Sequence, residues 1–132
     1  MKVIVDSSAI LSILFAEPDS DQILVAINDN ECAISAGNYL ETAIVVDFTK
    51  DPVVTRKFDA LIKASGIEIL SVDPKQVEVA RAAYRDYGKG TGHRAELNFG
   101  DVFAYALAAT TRRKLLCKGD DFRHTDIAIL DI

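Results

Sequence analysis

Four acidic side chains stand where the chain passes from strand into helix or turn: Asp6, Glu41, Asp101 and Asp121. Asp6 ends the β-branched run Val3-Ile4-Val5, which suits a strand buried on both faces. Ser7 and Ser8 follow, and then the helical pattern of Ile10, Leu11, Ile13 and Leu14. An acid at the carboxyl end of such a strand lies where open α/β sheets place their ligands. Glu41 falls in the first turns of the helix after a second strand, and Asp121 follows a fourth strand. In a parallel sheet the strand carboxyl ends share one edge, which puts these three on one rim. Asp101 opens a helix that is apolar nearly all round, and it joins them if the preceding loop delivers that helix end to the rim. Carboxylates so gathered repel unless a cation lies among them. Hard oxygen donors without histidine or thiol point to Mg²⁺ or Mn²⁺ rather than zinc. Such ions activate water and stabilise charge on a phosphodiester.

Each acid also has a plainer explanation. Asp6 or Ser7 caps the first helix. Asn38-x-x-Glu41 and Asn98-x-x-Asp101 resemble capping boxes, and Asp120 and Asp121 are ordinary turn residues. The joint pattern, not any single acid, argues for a site.

The elements that must position these residues follow from periodicity. Glu17-Pro18-Asp19 breaks the first helix, and Ile23, Leu24 and Ile27 stripe a second. Cys32–Ser35 is a short strand, followed by helix from about Asn38. Pro52 and Pro74 each stand at a first helical position, and Gly66 ends the helix between them. Ile67–Val72 is the third strand. Three glycines within residues 88–92 make the stretch to Arg94 a loop. Leu115–Cys117 is a fourth strand and Ile127–Leu130 a short last one. Strands alternate with helices throughout, which predicts one parallel sheet covered on both faces. At 132 residues, 49% of them hydrophobic, the chain reads as one domain, 1–132, with a real core.

No apolar run approaches the length of a membrane span, and the N-terminus lacks a signal-peptide pattern, so the expected location is the cytoplasm. Cys32 and Cys117 lie in apolar segments without a metal-binding spacing and read as reduced core thiols. The net charge of −5 argues against a nucleic-acid partner, but its distribution softens that. Residues 88–124 hold seven bases (Lys89, Arg94, Arg112, Arg113, Lys114, Lys118, Arg123) against four acids, Glu96, Asp101, Asp120 and Asp121. Lys89, Arg94, Lys118 and Arg123 are candidates to grip a phosphate backbone; a solvated surface role is the plain alternative. His93 and His124 could touch phosphate, though loop histidines are more often mere surface. Arg112, Arg113 and Lys114 equally suit a helix C-terminus.

Val-Asp-Ser-Ser-Ala at 5–9, Asn-Tyr-Leu-Glu-Thr at 38–42, Asn-Phe-Gly-Asp-Val-Phe-Ala-Tyr-Ala-Leu-Ala at 98–108 and Lys-Gly-Asp-Asp-Phe at 118–122 together resemble the PIN domain, specifically VapC-type toxins. The resemblance implies a PIN-like three-layer sandwich: a central, mostly parallel sheet of four to five strands with helices on both faces. It further implies a Mg²⁺-dependent endoribonuclease, held inactive by a VapB-type antitoxin and usually a homodimer within a larger complex. Three family acids map onto Asp6, Glu41 and Asp101. The fourth falls on Asp121, with Asp120 and Asp126 as rivals. Ser8 matches the small hydroxyl residue of the first motif, where it binds a water or orients Asp6. Glu41 is the acid best suited to help deprotonate water. The RNA target, transfer or ribosomal, is open.

Two other readings remain at this point. In a receiver-like switch, Asp73 after the third strand would accept a phosphoryl group; against it, the first strand ends on one acid rather than a pair, and Pro74 immediately starts a helix. In a catalytically silent binding domain, the apolar helices Leu40–Phe48 and Val53–Ile62 would form a groove for an antitoxin segment or a dimer face.

Overall fold

The computed structural model describes residues 1–132. The elements run β1 (Lys2–Val5), α1 (Ser7–Leu14), α2 (Ser20–Asp29), β2 (Glu31–Ser35), α3 (Ala36–Phe48), α4 (Pro52–Ala64), β3 (Glu68–Leu70), α5 (Pro74–Tyr87), α6 (Asp101–Thr111) and β4 (Lys114–Leu116), then a 3-10 turn over Asp121–His124. The strands form one sheet in the order β3-β2-β1-β4, and every pairing is parallel.

Strand alternation builds the three layers. Successive side chains of a strand point to opposite faces. Val3 and Val5 of β1, Cys32 and Ile34 of β2 and Leu116 of β4 pack with Ile10, Ile23, Ile27, Val46 and Phe58, so α1 to α4 cover one face. Ile4, Ala33 and Leu115 point the other way, against Ala83 of α5 and Ala104, Leu107 and Ala108 of α6. β1 lies inside the sheet with all three of its apolar residues fully buried, which is why its sequence is an unbroken apolar run.

The loop before α6 decides where Asp101 goes. Gly90 and Gly92 take φ of +92° and +88°, conformations that cost a side-chain-bearing residue dearly. The loop then closes on itself: the Lys89 amide donates to the Leu97 carbonyl (2.8 Å), and the Leu97 amide to that of Tyr87 (3.0 Å). Buried Ala95 and Leu97 anchor it, and the chain re-enters at Asn98 beside α3.

Several boundaries differ from the sequence expectation. α3 begins at Ala36, two residues before Asn38, because the Ser35 hydroxyl caps it by accepting the Gly37 amide (3.2 Å). β3 is shorter than 67–72, and β4 ends at Leu116, leaving Cys117 just beyond the sheet. Residues 127–130 do not form a strand. They touch β4 at one parallel bridge, Leu115 to Ile129, since β4 itself offers only three residues to pair with. The apolar stripe of α4 is largely absorbed by the molecule's own core: Phe58 is buried and stacks on Tyr39 at 5.5 Å, leaving Val53 as the one large apolar side chain of α4 that is exposed. On α3, by contrast, Leu40, Ile44, Val45 and Phe48 remain exposed.

Truncating Ile4, fully buried between β1 and α6, should cost about 2–5 kcal/mol, whereas Val77→Ala on exposed α5 surface should cost no more than about 0.5 kcal/mol. Urea unfolding of both variants checks this; equal midpoints would mean that β1 is not the centre of the core.

Candidate active site

Asp6 is the residue at which β1 becomes α1. Its backbone is extended (φ −83°, ψ 156°), and its Oδ2 accepts the Ser8 amide at 3.1 Å as the N-cap of α1. The capping role is therefore real, but it does not exhaust the side chain. Asp6 is only 4% exposed, and no lysine, arginine or histidine pairs with it. Burial raises its pKa, the Ser8 hydrogen bonds work against that, and Glu41 adds repulsion.

Glu41 sits on the second turn of α3 and is held from two sides. The Ser7 hydroxyl donates to its Oε1 at 2.5 Å, and the Asn38 amide donates to the same oxygen at 3.2 Å. Asn38 also donates to the Gly100 carbonyl at 2.8 Å, which ties α3 to the start of α6 across 62 residues of chain. Gly100 is needed there: a Cβ on it would run into the Glu41 carboxylate. The Asn38–Glu41 capping box is thus not formed, because α3 starts too early; Asn38 works across elements instead. Asn38 Oδ1 is buried without a hydrogen-bond partner.

Asp101 does form its capping box. Its amide donates to Asn98 Oδ1 and its Oδ2 accepts the Asn98 amide, both at 2.9 Å. This fixes the carboxyl at the first residue of α6. Its pKa is pushed up to about 7, first by burial, with the Asn98 bond opposing, and then by the charges of Asp6, Asp121 and Glu41. One carboxyl therefore feels all three of the others. Cys117, just past β4, lies in the same field: burial and the charges of Asp6, Asp101 and Asp121 push its thiol up to about 12, against the pull of Arg123. Cys32 is buried and its pKa is also raised, so neither thiol is a nucleophile.

Asp121 is exposed at the start of the 3-10 turn, and its charge is among those acting on Asp101 and Cys117. Its rivals have other partners. Asp120 points toward Arg123 Nε at 4.0 Å, and Asp126 accepts a hydrogen bond from the Tyr105 hydroxyl. Ser8 receives the Lys118 amide on its hydroxyl at 2.9 Å, so it holds the β4 exit against α1. The cations divide. Lys118 is bound to the Pro18 carbonyl and to Asp19, and Arg123 to Asp131 at 3.0 Å, so both brace the fold. Lys89 and Arg94 are exposed and carry no ion pair. His93 Nδ1 accepts the Ala95 amide and its ring meets Tyr87 edge-on, which makes it a loop brace. Asp73 caps α5 by accepting the Gln76 amide at 2.8 Å, beyond edge strand β3 and outside the carboxylate group, which gives the receiver-like reading no support.

Ser7, Asn38 and Gly100 were not legible as site residues. Ser7 could have been suspected from its place beside Asp6, and Asn38 from its offset of three from Glu41; nothing local marks Gly100.

The donor set suits a hard divalent cation: all oxygen, two of the four carboxyls at least half-buried, none neutralised by a base. No three of these side chains converge closely enough to share an ion directly. An ion held here would take one or two carboxylates directly and the rest of its shell from water, as Mg²⁺ can.

The raised acids have a consequence for stability. A carboxyl whose folded pKa lies above its unfolded value of ~3.9 contributes fully below that value and loses its contribution as pH rises through the folded one. For Asp101 the window runs from about 4 to about 7. In EDTA, melting temperature should therefore fall between pH 5 and pH 8, and Asp101→Asn should flatten the decline. Saturating Mn²⁺ at pH 8 should restore about 2.7 kcal/mol at a hundred times its Kd. A flat profile in EDTA, unmoved by the ion, would mean that the carboxylates do not share a field.

With the geometry in view, the chain can be set beside known proteins. The family model for the PIN domain matches residues 3–128. The chain is 46% identical over 126 residues to Ribonuclease VapC28 of Mycobacterium tuberculosis, covering 95% of each. Its fold is similar to that of Mycobacterium tuberculosis VapC20, described as a sarcin-ricin-loop-cleaving toxin, with a TM-score of 0.75, 13% identity and 98% and 99% of the two chains covered. It is similar in the same way to a chain of the Rickettsia felis VapBC2 complex bound to a promoter DNA fragment, with a TM-score of 0.73, 16% identity and 99% and 98% covered. A full-length family match and close kinship with named VapC proteins agree with the sheet order and the acidic rim: the chain belongs to the PIN-domain family.

Proposed function

We propose that this protein is the endoribonuclease toxin of a VapBC-type toxin–antitoxin pair, cutting RNA at the carboxylate rim with Mg²⁺, or Mn²⁺, as cofactor. The observation that carries the reading is Asp101, a capped and partly buried carboxyl on which three other carboxylates bear. Such an arrangement is costly to keep unless a cation offsets it. The 46% identity to a named VapC ribonuclease supports the same conclusion from outside the geometry.

Asp6 and Asp101 would hold the ion, with Glu41 and Asp121 completing the shell through water. When bound, the ion supplies charge neutralisation at the scissile phosphate and a lower pKa for the attacking water. The chain's own residues do the rest. Ser7 and Asn38 hydrogen-bond Glu41 Oε1 and hold the carboxylate against Gly100; Oε2, which carries no hydrogen bond, would be the oxygen to take a proton from that water. The Asn98 capping bonds hold Asp101 still, and Ser8 ties the β4 exit, which leads on to Asp121, to the start of α1. Lys89 and Arg94, both exposed and without an ion pair, would contact the RNA backbone.

The partners follow the same reading: an RNA substrate, a VapB-type antitoxin and a second copy of the chain. The exposed α3 face (Leu40, Ile44, Val45, and Phe48 at 75% exposure) is the surface assigned to protein contacts. The reading implies activity in the cytoplasm. No helix is long and apolar enough to cross a membrane.

Purified protein should cut total RNA with Mg²⁺ and not with EDTA. Asp6→Asn and Asp101→Asn should abolish cleavage with the fold kept, and Glu41→Gln should slow it about 10²–10⁴-fold. An Asp101→Asn protein as active as the parent overturns the proposal. Sedimentation that finds only monomer at high concentration removes the second copy, and a neighbouring reading frame whose product fails to co-purify removes the antitoxin.

A further inference from the structure

The end of α6 opposite Asp101 is basic. Arg112, Arg113 and Lys114 follow one another there and line an open groove of about 470 Å³ together with Tyr105, Asp126 and Ile127. None of the three bases belongs to an ion pair. Arg112 ends the helix in the left-handed conformation (φ 57°, ψ 38°), a position where helices usually carry glycine. The strand register adds a fourth base: Val3 pairs with Lys114, so Lys2 lies at the same sheet edge. Two acids face this group. Asp126 is engaged by the Tyr105 hydroxyl, and Glu31 stands opposite Lys2 in β2. The chain as a whole carries −5, so a local surplus of this kind is what could attract a polyanion to it.

We propose that this groove is a second anchor for the RNA phosphate backbone, at the far end of α6 from the carboxylate rim. The inference rests on the ribonuclease reading, and it adds a substrate requirement. α6 is 11 residues long, which sets the two sites about 16 Å apart along its axis, with a buried helix between them. A productive RNA must then be long or folded enough to touch both ends of the molecule. The plainer role of these bases is to complement the helix C-terminus, and that role predicts no effect on RNA affinity.

Fluorescence anisotropy in EDTA reads binding without cleavage, so its result stands whether or not the chain is a nuclease. The probe is a labelled RNA hairpin, with a DNA hairpin of the same sequence beside it. Arg112→Gly, Arg113→Gln and Lys114→Gln combined should weaken RNA binding and lower the slope of log K against log salt by about 2–3. Removing three bases on α4 (Arg56→Gln, Lys57→Gln, Lys63→Gln) matches the loss of net charge and should leave that slope nearly unchanged. Restoring charge with Arg112→Lys and Arg113→Lys, keeping Lys114, should recover most of the slope. An unchanged slope in the first variant, or an equal drop in the α4 variant, overturns the anchor. Equal binding and equal loss with the DNA hairpin overturns the assignment to RNA.

Discussion

Burying carboxyl groups without a counter-charge is the constraint around which this molecule is arranged. Asp6 ends the central strand inside the protein, and Asp101 begins a buried helix facing it. Neither has a basic partner; burial raises the proton affinity of both, and the charge of Asp6 adds to that of Asp101. A protein selected only for stability would place a lysine or an arginine here, or an apolar residue. Hydrogen bonds from backbone amides hold the two groups, and these fix position while leaving charge in place. Buried acids without a counter-charge are what a site maintained at the expense of the fold looks like.

The supporting contacts cross the molecule between distant segments. Ser7 reaches Glu41, Asn38 reaches the Gly100 carbonyl, and the Lys118 amide reaches Ser8. Four segments far apart in sequence, α1, α3, the start of α6 and the β4 exit, are tied together by these bonds. The absence of a side chain at Gly100 lets the beginning of α6 come against Glu41. Placement of the acids thus depends on the loop of residues 88–97, whose glycines and internal bonds turn the chain back toward α3.

Much of this was readable in the chain itself. The apolar run of β1, the prolines opening α4 and α5 and the alternation of strand with helix all act locally, and local pattern is what a sequence displays. The shared edge of a parallel sheet then puts Asp6, Glu41 and Asp121 on one rim without further information. What stayed hidden depends on contacts between segments. Ser35 takes the cap of α3 and frees Asn38 for Gly100. Lys118 and Arg123 look like free cations in sequence, but in the fold they are spent on Asp19 and Asp131. Residues 127–130 have the composition of a strand, yet their would-be partner is only three residues long.

That brevity applies at both margins of the sheet. β3 and β4 each comprise three residues, and the outer side of β4 is already met by the amide of Leu130 and the carbonyl of Ala128. Little ladder remains for a foreign strand to continue. A chain of this kind, crowded by copies of itself as it leaves the ribosome, therefore has few places at which intermolecular β-assembly can begin, and its associations are left to helical faces.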